Sequence, residues 1–240
     1  MGYNPRFHYP WRGGIEELPR AMARRLTSVR TSCALAQVRW REKVAVLEGG
    51  NRVPYDVLIA SVPLSQLVGM LDPCPSWLGE AGGLLRAVSV WVLNVGVRRP
   101  DVSDQHWIYF PEAAYPFFRV GCYTAFGPHL APRGCSSLYV EIPGHAVSGH
   151  PEKGAIQAAL EGLVRCGILR DPGEVDVVKP VHLPVAYVIH DQHRLRVLPR
   201  IRAFLEEQGI HAIGRYGTWG YGTMEQAIIQ GKNIAERITA

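Results

Sequence analysis

The chain has 240 residues, of which 47% are hydrophobic, 9% aromatic and 20% charged. This composition excludes a disordered chain, a collagen-like repeat and a coiled coil, and the length allows one large domain or two small ones. The net charge of +5 includes a basic stretch from Arg20 to Arg30. Because this stretch lacks interleaved aromatic residues and the spacings of nucleic-acid-binding motifs, we expect no nucleic-acid partner.

Cysteine usage and hydropathy narrow the class of protein further. The five cysteines are scattered without a CxxC pair, so neither a disulfide framework nor a structural zinc site is indicated. This pattern is typical of a reducing compartment and predicts a cytoplasmic location. No apolar run reaches the roughly 18 to 20 residues that a membrane span requires, so we expect no membrane-spanning segment.

The first 62 residues predict a helix followed by short strands. Apolar residues recur every three or four positions from Gly14 onward and predict an amphipathic helix with Ile15, Leu18, Met22 and Leu26 on one face. Strand-like runs follow within 29–40 and 43–48, separated from the next run by a turn at 49–51. The continuous apolar run 57–62 predicts a strand buried on both faces.

The central region predicts an antiparallel sheet with helices. Residues 84–97 alternate around Val88, Val90, Val92 and Val95, and strand-like pieces follow at 106–110, 117–123 and 136–142 with Pro and Gly between them. Helices are predicted at 152–166 and 194–208, the first with an apolar face. That face contains Ile156, Leu160, Leu163 and Val164.

The C-terminal segment predicts a ligand site. A short buried strand (210–213) precedes a glycine-rich loop (214–222), and a helix starts at Thr223, whose spacing to Gln226 is that of a capping box. A strand, a glycine loop and a helix N-terminus in this order form a natural seat for a polar or anionic ligand. Arg215 could bind a pyrophosphate, and three aromatic residues could wall a planar ring, which together indicate a dinucleotide. These aromatic residues are Tyr216, Trp219 and Tyr221.

Two other constellations carry weaker signals. The sequence His190-Asp191-Gln192-His193 could offer metal ligands, but it lacks a third ligand at a clear spacing, and a polar turn before a helix is the favoured interpretation. His145 and His150 flank Ser148 without the G-x-S-x-G elbow of hydrolases, so we do not expect a hydrolase.

Four segments resemble the superfamily of flavin-containing amine oxidases and protoporphyrinogen oxidases, which also includes UDP-galactopyranose mutase. They are YPWRGGIEELPRAMARRL, YDVLIASVPLSQLVGML, HWIYFPEAAYPFFRVGCY and GIHAIGRYGTWGYGTMEQAIIQGKNIA, and they occur in the family's order over most of the chain. The first is similar to the family's YP-x-GG-x-x-x-L segment, and the last to its C-terminal flavin-binding motif.

The resemblance implies FAD as cofactor and assigns residues to it. Gly214 and Arg215 would approach the FAD pyrophosphate. The helix N-terminus at Thr223, Met224, Glu225 and Gln226 would face the pyrimidine edge of the isoalloxazine and stabilise negative charge on the reduced flavin. Leu35 falls where the family places the strand whose backbone meets the adenine.

The same resemblance implies an α/β (α+β) fold that combines a substrate domain with part of an FAD-binding Rossmann-like domain. We expect residues 1–62 to belong to the FAD-binding domain, residues 63–208 to form the substrate domain with a mixed or antiparallel sheet, and residues 209–240 to form the C-terminal FAD motif. The N-terminal Rossmann unit with G-x-G-x-x-G is absent from the sequence. The sequence therefore looks like the C-terminal part of such a protein, and a separate chain is one possible source of the missing unit.

We expect an FAD-dependent oxidoreductase that oxidises a small organic substrate by hydride transfer, inactive without the G-x-G-x-x-G half. Two alternatives remain open: a redox-neutral flavin mutase acting on a nucleotide sugar, and a non-catalytic partner subunit or fragment. No catalytic residue is assigned. Arg119 and Tyr187 are candidates for substrate binding, with a purely structural role as the alternative, in which Arg119 pairs with a carboxylate such as Glu141 and Tyr187 fills the core.

Overall fold

The computed structural model describes residues 7–144, 150–152 and 154–239. The chain forms two compact units, each built from two separate stretches of sequence. The first unit contains the residues up to Val29 together with Ser89–Pro184, and the second contains Arg30–Val88 together with the residues from Val185 onward. These boundaries do not coincide with those of the expected domains at 1–62, 63–208 and 209–240. Two of the three fall inside long strands (Ala87–Val97 and Val175–Val188), and the third, after Val29, lies in a connection.

The described residues form seven α-helices, of which α6 is a single turn. In chain order they are α1 (Glu17–Ala23), α2 (Leu64–Met70), α3 (Ser76–Gly83), α4 (Ala155–Arg165), α5 (Gln192–Glu207), α6 (Gly214–Gly217) and α7 (Met224–Thr239). The strands of the described residues are β1 (Leu35–Arg39), β2 (Val44–Leu47), β3 (Arg52–Pro54), β4 (Leu58–Ala60), β5 (Ala87–Val97), β6 (Trp107–Tyr109), β7 (Arg119–Cys122), β8 (Ser136–Pro143), β9 (Val175–Val188) and β10 (Ile210–Ala212). None of the described helices combines the length and the apolar character needed to cross a membrane.

The first unit is organised around a five-stranded sheet with strand order β6-β7-β8-β5-β9. The pairs β6/β7, β7/β8 and β8/β5 are antiparallel, as the sequence predicts. One face of the sheet packs against α4 through a core that includes Leu93, Val140 and Leu163. Because neighbouring residues of a strand point to opposite faces, the adjacent pair Arg119 and Glu141 lies on the other face.

The second unit has its own core, formed by α2, α3 and α5 with residues of two small sheets. The meander β1-β2-β3 is antiparallel, and its turn at 49–51 lies where the sequence predicts it. The other sheet has two parallel strands, β4 and β10. Ile201 of α5 and Ile210 of β10 are completely buried in this core.

Three expectations from the sequence require correction. The strand within 57–62 is not covered on both faces in this structure, since Ile59 is 41% exposed. The helix after Gly14 forms over Glu17–Ala23, but it has no buried residue, and its apolar residues Ile15, Leu18, Met22 and Leu26 are all exposed. The 14-residue strand β9 extends far beyond the strand that the resemblance implies around Tyr187. The helical interpretations of 152–166 and 194–208 are confirmed by α4 and α5.

Candidate functional site

The end of β10 and the start of α7 build the C-terminal site in the second unit. Strand β10 pairs with β4, and the amide of Ile213 donates to the Ala60 carbonyl (2.9 Å). The chain then turns at Gly214, whose φ of +73° lies in the left-handed region that favours glycine. A Cβ on Gly217 would lie 2.9 Å from the Ala60 carbonyl oxygen. The turn therefore lies directly against the strand ends because it carries glycine at these positions.

Gly214 makes all its polar contacts within the chain. Its amide donates to Oε1 of Gln230 on α7 (2.7 Å), and its carbonyl accepts from the amide (2.9 Å) and the hydroxyl (2.7 Å) of Thr218. The Gly214 amide is thus already bonded within the chain. The expected approach of a pyrophosphate would depend on the small size of glycine at this position and not on a hydrogen bond from its amide. The role of Gln230 was not predicted from the sequence. Its only signal there is its position one helical turn after Gln226, next to the apolar pair Ile228 and Ile229.

Arg215 lies among three tyrosine rings. Its guanidinium carbon is 5.0 Å from the ring centroid of Tyr221, 5.4 Å from that of Tyr187 and 5.9 Å from that of Tyr216, and Nη2 donates to the carbonyl of Ala186 (3.3 Å). Cations over aromatic faces are attracted by the ring quadrupole. The structure thus brings together Arg215, predicted to bind cofactor, and Tyr187, predicted to bind substrate. The contact of Arg215 with a pyrophosphate stays a prediction.

The expectation that Trp219 walls a planar ligand is wrong. Trp219 is 1% exposed and belongs to the core of the second unit. Its carbonyl accepts from Nε of Arg194 (2.8 Å), a residue that sequence reasoning missed because the contact joins distant parts of the chain. Tyr221 is 62% exposed, so it can offer a ring to a ligand.

The capping box at the start of α7 is confirmed. The Thr223 amide donates to Oε1 of Gln226 (2.9 Å), and the Gln226 amide donates to Oγ1 of Thr223 (3.3 Å). The side chains of Met224 and Glu225 are exposed in the first turn. Since the early amides of a helix have no partner within the helix, this end presents N–H groups and the positive end of the helix dipole.

Leu35 is the first residue of β1, which lies at the edge of the meander in the second unit. It is half-buried and packs against the core. Its backbone contact with an adenine stays a prediction.

Arg119 lies in a polar cluster on the sheet face of the first unit. Its Nη2 donates to Oε1 of Glu141, which is 6% exposed, so the ion pair considered from the sequence is confirmed. The guanidinium also lies 5.7 Å from the ring centroid of Tyr139 and 5.8 Å from that of Tyr109. Burial raises the pKa of Tyr139 to about 12, against the opposing effect of Arg119. The hydroxyl of Tyr139 therefore stays protonated at physiological pH.

Tyr123 extends this cluster. Its hydroxyl donates to Oδ1 of Asn94 (3.1 Å), and its ring centroid lies 5.0 Å from that of Tyr139. Burial, and after it the nearby Tyr9, raises the pKa of Tyr123. The cluster thus places the phenol groups of Tyr139 and Tyr123 and the amide of Asn94 near the ion pair of Arg119 and Glu141.

Of the two weaker constellations, the one at 190–193 lies in the described residues and forms the start of a helix. Asp191 caps α5, since its Oδ1 accepts from the amide of Arg194 (2.8 Å), which agrees with the interpretation of 190–193 as a polar turn before a helix. Within the described ranges, no group of three or more His, Cys, Asp and Glu side chains could hold a metal ion. His145 and Ser148 lie outside the described residues.

Comparison with known proteins adds independent information. The sequence model of the family described as "Flavin containing amine oxidoreductase" matches residues 2–239. The fold is similar to that of a reduced UDP-galactopyranose mutase (TM-score 0.87, 21% identity, 96% of this chain and 52% of that chain). It is also similar to a protein described as a protoporphyrinogen oxidase from Exiguobacterium sp. 255-15 (TM-score 0.72, 17% identity, 94% and 51%) and to a putrescine oxidase variant (TM-score 0.70, 17% identity, 94% and 52%). The chain spans about half the length of each of these structures, and at this identity the likeness concerns the fold.

Proposed function

Because the chain belongs to the flavin-containing amine oxidoreductase family, we propose that it contributes to an enzyme that oxidises a small organic substrate by hydride transfer to FAD. FAD is the cofactor of this family and, when bound, accepts the hydride. The chain would supply the substrate-binding sheet and the flavin end of the cofactor site. A further polypeptide segment with G-x-G-x-x-G would supply the ADP end.

The observation that carries this proposal is the N-terminus of α7, which follows directly on the strand and glycine turn. Its capping box uses the amides of Thr223 and Gln226. The first-turn amides of Met224 and Glu225 would then serve the carbonyl oxygens of the pyrimidine edge. Glu225 adds a carboxylate to the same turn, which would repel a phosphate. This carboxylate argues against a phosphate at α7, and we assign the pyrophosphate to the turn at Gly214 and Arg215.

The polar cluster on the sheet of the first unit would orient the substrate. Tyr139 and Tyr123 are protonated donors, and Arg119 is held in one position by Glu141. Hydride transfer needs no catalytic triad, because orientation and exclusion of water are sufficient contributions from the protein.

A redox-neutral mutase acting on a nucleotide sugar is the second candidate. It is favoured by one observation, that the carboxylate of the cluster, Glu141, is already compensated by Arg119. A substrate ammonium would find no uncompensated carboxylate there, whereas sugar hydroxyls would find phenol and amide partners. Turnover of a nucleotide sugar only after dithionite reduction would support the mutase, and absence of turnover in reduced enzyme would exclude it.

The proposed FAD site is tested by the visible absorption spectrum. The chain is purified with excess FAD, once alone and once co-expressed with a polypeptide that carries the G-x-G-x-x-G unit. We expect bound flavin only in the second preparation. Flavin bound by the chain alone would contradict the shared site, and flavin in neither preparation would favour a non-catalytic partner or fragment.

Arg215→Ala tests the pyrophosphate contact in the complete assembly. Loss of a charge-assisted contact to phosphate costs roughly 1.5 to 3 kcal/mol, so FAD should bind about tenfold more weakly or worse. Arg202→Ala, at an exposed arginine of α5 in the same unit, is the matched control. Equal FAD affinity in both variants would remove Arg215 from the cofactor site.

A further inference from the structure

Trp219 adopts an unusual backbone conformation in the glycine-rich loop. Its φ of +49° lies in the left-handed region, where the Cβ of a non-glycine residue comes too close to the following carbonyl oxygen. The loop has glycine at 217 and 220, yet its largest side chain stands at the strained position. Bulky residues stay in this conformation only where the surrounding structure holds them there.

Trp219 is held through its side chain, its amide and its carbonyl. The side chain is 1% exposed within the core of the second unit, and the amide donates to the Tyr216 carbonyl (3.2 Å). The carbonyl accepts from Nε of Arg194 on α5 (2.8 Å). Because its donor is charged, this bond is stronger than one between neutral groups. It joins the strained position to a separate helix.

Arg194 is itself fixed in the first turn of α5. Its amide donates to Oδ1 of the capping residue Asp191 (2.8 Å), and Nη1 of Arg86 lies 3.4 Å from Oδ2 of the same carboxylate. A Cβ on Gly220 would lie 3.8 Å from Nη2 of Arg194, so the guanidinium lies beside the loop backbone. Arg194 therefore bonds to the loop from a position that the helix cap determines.

The turn at Trp219 brings the end of the loop back to Arg215. The Gly220 amide donates to the Arg215 carbonyl (3.0 Å), and a Cβ on Gly222 would lie 3.9 Å from Cα of Arg215. Between these two glycines, the Tyr221 ring centroid lies 5.0 Å from the guanidinium carbon of Arg215. The position of Arg215 relative to Tyr221 thus depends on the strained turn.

We propose that Arg194 is a positioning residue of the cofactor site. Its bond to the Trp219 carbonyl holds the strained turn, and the turn holds Arg215 and Tyr221 together, so that Arg215 meets the cofactor in one orientation. Arg194 acts through these two side chains and not on the cofactor itself. The inference rests on the proposed function, which assigns the pyrophosphate to Arg215.

Two substitutions separate the hydrogen bond from the rest of the side chain. Arg194→Met keeps an unbranched apolar stem and removes the donor. Arg194→Gln removes the charge but keeps an N–H donor at the same number of bonds from Cα, so it should restore the bond to the Trp219 carbonyl. Arg202→Met, at an exposed arginine of the same helix, is the matched control.

Hydrogen exchange of the Gly220 amide, measured by NMR on the chain without FAD, tests the effect on the loop. Arg194→Met should speed this exchange about tenfold or more, whereas Arg194→Gln and Arg202→Met should stay close to wild type. The Ile201 amide, in the buried part of α5, reports on unfolding of the whole unit and should change little. Unchanged exchange at Gly220, equal acceleration at Gly220 and Ile201, or a glutamine variant as fast as the methionine variant would overturn the inference.

FAD affinity of the assembly with a polypeptide that carries the G-x-G-x-x-G unit tests the effect on the cofactor. Arg194→Met should weaken FAD binding about tenfold, and Arg194→Gln should restore most of it. The losses from Arg194→Met and Arg215→Ala should not add in the double variant, because both break the same arrangement. Additive losses would give Arg194 a separate structural role and remove it as a positioning residue.

The two measurements also separate this inference from the proposed function. If the wild-type assembly binds no FAD, the proposed function fails, while the exchange of Gly220 still shows whether Arg194 holds the turn. If the assembly binds FAD and Arg194→Met binds it as tightly as wild type, the positioning role fails and the FAD site remains.

Discussion

Arg119 and Glu141 form an ion pair on the sheet of the first unit, and Glu141 is 6% exposed. Taking two charges out of water is costly, so such a pair adds little net stability, but removing one partner leaves an uncompensated buried charge. We predict that Arg119→Ala lowers the free energy of unfolding by about 3 to 5 kcal/mol. The double variant Arg119→Met/Glu141→Leu should recover most of this loss in urea denaturation. A double variant as unstable as the single one would show that Arg119 stabilises the sheet through other contacts.

His211 makes the stability of the second unit depend on pH. Burial, and after it the neighbouring Arg237, lowers the pKa of His211 from its ordinary value of 6.5, while Glu206 acts in the opposite direction. Between the lowered pKa and pH 6.5 the unfolded chain binds more protons than the folded chain, so the free energy of unfolding falls as the pH drops through this window. This contribution is fully present above pH 6.5. Urea denaturation across the window should show a weaker pH dependence in His211→Asn than in wild type, and identical slopes would contradict the assignment.

At the scale of elements, two glycines of the C-terminal motif should respond in opposite ways to alanine. Gly231 is inside α7 with open space around a Cβ, and glycine in a helix interior costs about 1 kcal/mol relative to alanine, so Gly231→Ala should stabilise the isolated chain by roughly 0.5 to 1 kcal/mol. A Cβ on Gly217 would lie 2.9 Å from the Ala60 carbonyl oxygen and 3.2 Å from the Ala212 carbonyl carbon. Gly217→Ala should therefore destabilise it. Thermal unfolding of the two variants measures both changes in stability. Changes of the same sign would contradict the packing of the turn at Gly214–Gly217.

The elements also show where sequence patterns succeed. The capping box of α7 was predictable because both partners lie within one turn. Strand β5 was predicted from alternation around Val88, Val90, Val92 and Val95, but the side chains buried in alternation are those of Trp91, Leu93, Val95 and Val97. The greater part of strand β9 escaped prediction because Pro180 and Pro184 interrupt its pattern. Proline is tolerated at a sheet edge, and β9 is an edge strand of its sheet.

Two partners in the C-terminal motif, Gln230 and Arg194, were not predicted from the sequence. Gln230 reaches Gly214 and Arg194 reaches Trp219 only after distant segments have packed together. The same limit applies to burial. The apolar spacing of α1 correctly indicates a helix, but it cannot say whether anything covers its apolar face, and in this structure all four residues of that face are exposed.

At the scale of the whole molecule, the two units are distinct in their cores. Leu163 of α4 is completely buried among residues of the first unit, and Ile201 of α5 is completely buried among residues of the second. Each core is assembled from two stretches of sequence that are far apart in the chain. A chain with two separate cores is expected to lose them in separate cooperative steps, because cooperativity follows shared packing.

We therefore predict two unfolding transitions, each sensitive to one core. Removing buried methyl groups costs about 2 to 5 kcal/mol, so Leu163→Ala should lower the urea midpoint of the first unit and Ile201→Ala that of the second. Hydrogen exchange followed by mass spectrometry in urea can measure both, using peptides from β8 and α5 as reporters. Val177→Ala and Leu195→Ala, at side chains that are 55% and 61% exposed, are matched controls that should move neither midpoint. A single transition in which Leu163→Ala and Ile201→Ala destabilise both reporters equally would show that the two cores unfold together. In that case a loss of stability in one unit would lower the urea midpoint of the other unit as well.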